Sequence, residues 1–145
     1  MRGIPDASEI ERLRSELQIL RESAEKHRLL IEATDTGFVI LDESGRVLDA
    51  NTEYAKLTGH ERVDQITGRL VTEWTAPGDR ARNAAEVRNC LGLGTVRNLE
   101  IDYLSPDGRV TPVEINATVS RAPTGVTILP VCRDISSRRR AAAAW

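Results

Sequence analysis

The sequence predicts an α+β domain: a five-stranded antiparallel sheet with short helices on one face, preceded by a long N-terminal helix. Three observations carry this. Heptad-spaced apolar residues open the chain, two short strands and a run of helical segments follow, and three alternating strands close it. Helices grouped between two sets of strands, rather than alternating with them, are the order of an α+β layer structure. At 145 residues, with 40% hydrophobic and 29% charged residues, the chain has the size and composition of one soluble globular core with appendages.

The first helix is expected from the capping box Ser8-Glu9-Ile10-Glu11, in which the serine hydroxyl takes an orphan amide and Glu11 reaches back. Its stop is the stretch from Thr34 to Gly37. With Ile10 at heptad position a, Leu13 falls at d, Leu17 at a, Leu20 at d and Ala24 at a. The seam weakens at His27 and Ile31. Flanking charges favour a parallel dimer, because the g-to-e pairs Glu9 with Arg14 and Glu16 with Arg21 are opposite in sign. The competing reading is an amphipathic helix folded onto its own domain, since two heptads make a short coiled coil. His27 reads as a half-exposed spacer.

Phe38 to Leu41 and Arg46 to Ala50 are two short strands joined by the turn Asp42-Glu43-Ser44-Gly45, and so form a hairpin. Asn51 or Thr52 caps a short helix that ends at Gly59. Another helical piece, Arg62 to Ile66, ends at Gly68. Asp79 is the expected cap of a longer helix to Leu91, stopped by Gly92 and Gly94. Leu99, Ile101 and Tyr103 alternate with polar residues, as do Val113, Ile115, Ala117 and Val119, so both strands have one buried face. Val126 to Ile135 is nearly all apolar, as expected of a central strand covered on both faces.

Composition excludes several classes. A net charge of −2 leaves no basic face for nucleic acid, the only basic cluster being Arg138-Arg139-Arg140. No apolar run approaches the ~18 residues needed to cross a bilayer, and a charged N-terminus makes a cytoplasmic location the expectation. Two cysteines, Cys90 and Cys132, provide neither a disulfide framework nor metal-ligand spacing; both are expected reduced and buried. Asn116-Ala117-Thr118 is a chance glycosylation match in a strand. The two histidines stand in a helix seam and a turn, so no nucleophile-base pair can be nominated and the chain does not read as an enzyme. Gly92-Leu93-Gly94 lacks the phosphate-loop pattern and reads as a helix stop.

From about Leu30 to Ser136 the chain resembles a PAS domain, the sensory module of bacterial signalling proteins. The matching pieces are Gly37-Phe38-Val39-Ile40, Gly45 to Asn51, Leu57-Thr58-Gly59-His60, Thr67-Gly68-Arg69, Pro106-Asp107-Gly108-Arg109 and Arg133-Asp134-Ile135-Ser136. The resemblance implies a non-catalytic sensor or dimerisation module whose last strand lies in mid-sheet. It also implies an N-terminal helix packed on the sheet and on a second subunit, and Asp134, Ile135 and Ser136 as the junction through which the core signals. Ser136 stands where the family has threonine, and His60 where it often has tyrosine.

The resemblance also sets what a cofactor would need. Flavin-binding relatives carry Asn-Cys directly after Gly-Arg, whereas here Gly68-Arg69 precedes Leu70-Val71 and Asn89-Cys90 falls on the later helix. Haem-binding relatives take an axial histidine from that helix, which has none. A tyrosine-bound chromophore held as a cysteine thioester has no support either. No cofactor is therefore expected, and four aromatics in the body are too few for a ring-stacking cage. The remaining choice lies between a small non-covalent ligand in an aliphatic cavity and a filled core. Candidate lining residues are Asn51, Tyr54, Trp74, Ala84, Val87, Leu91, Ile101, Ile115 and Val131, with Ala81, Ala84, Ala85 and Val87 turning small side chains to the sheet. Trp74 reads first as core and Asn51 first as a cap.

The expected organisation is a coiled-coil-like helix over residues 8–33, a PAS body over 34–136, and the start of an outgoing signalling helix or a tail over 137–145. The expected partners are a second copy of the chain, in a parallel homodimer, and an effector domain in the parent protein, either a histidine kinase or a cyclic-dinucleotide enzyme. The alternative function is a ligand-free interaction module.

Overall fold

The computed structural model describes residues 3–4, 6–33 and 35–143, without the side chains of 31–33 and 143. The expectations placed on Thr34, on the side chain of Ile31 and on Trp145 lie outside the described residues. The chain divides into two compact units, Met1–Thr34 and Asp35–Trp145.

The first unit is helix α1, Ala7–Ala33. Its cap is Asp6 rather than Ser8: the Glu9 amide donates to Asp6 Oδ1 at 2.8 Å, and the Asp6 carbonyl accepts the Ile10 amide at 3.1 Å. Aspartate caps as well as serine, and starting at Asp6 extends the helix N-terminally while leaving Ser8 inside the first turn. The heptad residues lie open to solvent on the single chain, with Ile10 38%, Leu13 52%, Leu17 47% and Leu20 66% exposed.

The second unit is one sheet of order β2-β1-β5-β4-β3, antiparallel throughout. Its strands are β1 (Gly37–Leu41), β2 (Val47–Ala50), β3 (Thr95–Leu104), β4 (Val110–Ala122) and β5 (Gly125–Asp134). Between β2 and β3 lie α2 (Thr52–Leu57), three single turns of 3₁₀-helix at Val63–Gln65, Val71–Glu73 and Pro77–Asp79, and α3 (Arg80–Leu93). Helix α4 (Ser136–Ala143) begins immediately after β5.

Two boundaries differ from the sequence reading. Helix α3 runs through Gly92 to Leu93 and stops only at Gly94, whose φ of 86° is the left-handed cap that glycine adopts without penalty. Strand β5 is central, yet its burial alternates: Ile128, Pro130 and Cys132 point into the core while Val131 is 42% exposed. A continuous apolar run suggests cover on both faces; within this unit α2, the 3₁₀ turns and α3 cover only the inner one. Pro130 has no amide to give, and the β1–β5 ladder is interrupted opposite it, between Phe38↔Val131 and Leu41↔Ile128.

Loop backbone covers part of each sheet edge. Along β3, Ala76 donates to the Asp102 carbonyl (2.8 Å) and Leu104 to the Trp74 carbonyl (2.7 Å), while the other end is bulged between Val96 and Leu99 with Asn98 at φ 55°. Along β2, Val47 exchanges both its backbone groups with the loop, its amide to Arg69 O (2.9 Å) and its carbonyl from Gly68 N (2.8 Å). The core between helices and sheet is aliphatic around two buried aromatics of the helical layer, Tyr54 and Trp74.

Candidate functional site

Between α3 and the inner face of the sheet lies a small apolar cavity of about 40 Å³. The alternation of the strands supplies its floor: Val39 and Leu41 of β1, Ile115 and Ala117 of β4, Ile128 and Pro130 of β5. Asn83, Glu86, Val87 and Cys90 of α3 supply its roof, at the spacing of one helical face. Tyr54, Val71, Val96 and Leu99 complete the wall.

The phase of α3 comes from Asn83 and Cys90, its two buried residues, seven apart. A buried amide needs a partner, and Asn83 Nδ2 donates to Thr75 Oγ1 at 3.0 Å while that hydroxyl donates to the Val71 carbonyl at 2.8 Å. This phase turns Ala81 to solvent and leaves Ala84 and Ala85 half-buried beside the roof rather than in it. Burial raises the Cys90 thiol above its ordinary value, with Glu86 adding to the shift, so Cys90 sits in the wall as a neutral side chain.

Beside the cavity runs a buried polar row. The Trp74 indole donates to Tyr54 Oη at 3.1 Å, and Tyr54 Oη meets Tyr103 Oη at 3.1 Å. The rings pack edge to face, with Tyr54 and Trp74 centroids 6.4 Å apart and Tyr54 and Tyr103 centroids 6.1 Å apart. An indole N–H only donates, so Tyr54 Oη accepts from it, and the two phenols share one further hydrogen bond. Burial raises both phenols, Tyr54 and Tyr103, above their usual value. It also pushes the Cys132 thiol up to about 12, although the neighbouring Tyr103 hydroxyl draws it part of the way back. All three stay protonated at neutral pH.

On the far side of Trp74, His60 packs edge-on at 6.2 Å and Arg69 lies 5.5 Å over the ring. Thr58 Oγ1 donates to the Ala55 carbonyl (2.7 Å), so its 2.9 Å contact with His60 Nδ1 makes Nδ1 the donor and leaves Nε2 to face Arg69 at 3.4 Å. Burial and the Arg69 cation, in that order, lower the His60 pKa and keep the ring neutral.

The residues the sequence points to fall in five places. Tyr54, Val87 and Ile115 line the cavity together. Trp74 and Ile101 are buried in the core outside it, Ala84 and Leu91 flank it half-buried, and Val131 stands on the opposite face of the sheet. Val131 is displaced by strand parity, since the inward residues of β5 are its even-numbered neighbours. Asn51 binds backbone instead: Oδ1 accepts from Tyr54 N (3.0 Å) and Phe38 N (2.9 Å), and Nδ2 donates to the Thr36 carbonyl (2.9 Å). Asn83, Glu86 and Cys90 were not selected as lining residues. Their spacing ahead of the Gly94 cap was the available signal.

At the end of β5, Asp134 Oδ1 accepts the Ser136 amide at 2.8 Å, and the buried Ile135 donates its amide to the Pro112 carbonyl at 3.0 Å while its carbonyl accepts from Arg139 N at 3.0 Å. Strand and outgoing helix thus join without a loop. Among the described residues no group of three or more His, Cys, Asp or Glu could hold a metal ion, and no helix is long and apolar enough to cross a membrane.

Residues 25–135 match the family model described as the PAS fold. The PAS domain of a protein from Colwellia psychrerythraea superposes with a TM-score of 0.69 at 25% identity, covering 83% of this chain and 99% of that one. A domain of a sensory box sensor histidine kinase/response regulator from Geobacter sulfurreducens gives 0.64 at 25% identity, covering 79% and 96%. The sensor histidine kinase TmoS of Ectopseudomonas mendocina is 25% identical over 127 residues, 84% of this chain and 13% of its own length. The chain spans 13–16% of the length of the curated relatives it matches.

Proposed function

The chain belongs to the PAS family, and from that premise we propose that it is a non-catalytic sensory or regulatory module that pairs with a second copy and passes a conformational bias to an effector elsewhere in its parent protein. The observation that carries this reading is α1, where four apolar residues in heptad register stay in water on the single chain. A stripe of that kind is covered when two such helices wind together. The similarity to a sensor histidine kinase supports a kinase as the effector; a cyclic-dinucleotide enzyme would use the same outgoing helix. The PAS body over 34–136 is the sensing part, and the helices at either end are its connections.

The cavity supports one kind of ligand. About 40 Å³ holds a few water-sized probes at ~10–15 Å³ each, and its wall is mostly apolar. It suits a small apolar solute of a few atoms. The same smallness favours a second reading, in which the core is complete without ligand and the module serves only to hold two chains together.

Sedimentation equilibrium tests the pairing: the wild type sediments as a dimer and L13D/L17D as a folded monomer. A monomeric wild type at high concentration refutes it. Absorbance with native mass spectrometry, followed by xenon titration monitored by NMR at Val87 and Ile115, separates the two readings. Shifts confined to cavity residues support sensing, and none support the ligand-free module.

A further inference from the structure

The register of β3 against β4 sets Glu100 directly opposite Glu114, and Asp102 lies on the same face two residues along. Like charges directly opposed across an antiparallel pair are destabilising, so this strip calls for cations. Helix α4 brings them. Arg138 lies 3.0 Å from Glu114 and 3.6 Å from Glu100, and Arg139 lies 3.3 Å from Asp102 and 3.5 Å from Glu100. Two arginines thus bridge three carboxylates, one of them spanning the opposed pair.

We propose that Glu100, Asp102 and Glu114 form a seat for the basic start of the outgoing helix, and that the seat is mechanically tied to α3 through Asp102. The side chain of Asp102 holds α4, while its main chain holds the segment leading into α3. Its carbonyl accepts from Ala76 N at 2.8 Å, and its amide donates to Asp79 Oδ2 at 2.9 Å. Asp79 is the N-cap residue of α3 and pairs with Arg82 at 3.2 Å, and Arg82 also donates to the Glu100 carbonyl. Movement of the first turn of α3 therefore shifts β3 at Asp102 and, with it, the carboxylate that Arg139 grips. Unseating α4 exposes the opposed glutamates, which biases the helix back to its seat. The device does not depend on what enters the cavity.

Amide exchange of the full chain, read by mass spectrometry, tests the seat. R138Q/R139Q should speed exchange in α4 by about tenfold, and 0.5 M salt, roughly, should do the same to the wild type but not to the variant. Equal α4 exchange in wild type and R138Q/R139Q overturns the proposal. A second readout is a change of sign. E100Q should lower the urea midpoint of the wild type, where an arginine partner is lost, and raise it in R138Q/R139Q, where repulsion from Glu114 is relieved. The same sign in both backgrounds also overturns it. The tie to α3 is tested without altering charge by A76P, which deletes only the donor to the Asp102 carbonyl at a residue whose φ of −55° suits proline. Faster α4 exchange with β5 unchanged supports the tie, and unchanged α4 exchange refutes it. Should A76P not fold, D79A, which deletes the acceptor of the Asp102 amide, serves in its place with the same two outcomes.

Discussion

Replacing Tyr54 with phenylalanine removes one oxygen from the centre of the buried row and leaves its ring packing intact. Tyr54 is 0% exposed and Trp74 1%, so the vacated position is shut off from bulk solvent. The Trp74 indole loses its acceptor, which costs ~1–3 kcal/mol for a buried unsatisfied donor, and the Tyr103 hydroxyl loses its partner, adding up to ~1 kcal/mol. Relief from burying a hydroxyl returns a fraction of this, leaving about 2–3 kcal/mol. Y103F keeps the indole bond and breaks only the one between the phenols, so it should cost less, about 1–2 kcal/mol. Urea unfolding followed by Trp fluorescence and far-UV circular dichroism measures both, with an unchanged denaturant slope showing that the unfolded state is the same. The double variant should cost less than the sum, because the two phenols share one bond. A Y54F within ~0.5 kcal/mol of wild type, or a Y103F more costly than Y54F, refutes Tyr54 as the shared partner of the row.

Four further outcomes follow from the same geometry. His60 has a lowered pKa, so the unfolded chain binds its proton more readily. Stability is therefore complete above about pH 6.5 and falls as pH drops below it, ahead of the carboxylate region near ~4. H60Q should flatten the melting temperature between roughly pH 7 and 5, and an unchanged slope refutes this assignment. Gly59, at φ 85°, would place a Cβ 2.5 Å from Ser105 Cβ and 3.0 Å from Pro106 Cδ. G59A should cost about 2–4 kcal/mol from left-handed strain and overpacking, and less in an S105G background; an equal cost in both removes the steric part of the argument. Both thiols should resist a thiol reagent in the native chain at pH 8 and react in denaturant, Cys132 because it is fully buried with its pKa near 12. Rapid native labelling of either contradicts this. R138Q alone should weaken α4 less than R138Q/R139Q, because Arg139 retains both Asp102 and Glu100.

The alternating strands made the sheet legible, since Val113, Ile115 and Ala117 face the core wherever the strand lies. Hairpin turns and the Gly94 stop were equally local signals. Tertiary choices left less trace. The inward face of α3 is set by Asn83, a polar residue whose burial depends on a hydroxyl eight positions earlier, and hydrophobic pattern cannot rank it above the alanines. Val131 faces away from the cavity, and an unbroken apolar run has no parity that would show it. The acidic seat was hidden for another reason: Glu100, Asp102 and Glu114 look like ordinary solvent-facing residues until the strand register brings them together, and Arg138 and Arg139 look like a tail until the helix turns back over them.

The partly covered sheet edges constrain how this chain associates. An unpaired strand edge is a template that can add copies indefinitely. Here one edge strand is short and bound to its neighbouring loop, and the other is held by Ala76 and Trp74 and kinked at Asn98. Any contact between copies would then draw chiefly on side chains of helices and faces, which a single partner can satisfy. Self-association at high local concentration should consequently saturate at a small fixed stoichiometry instead of growing into fibres.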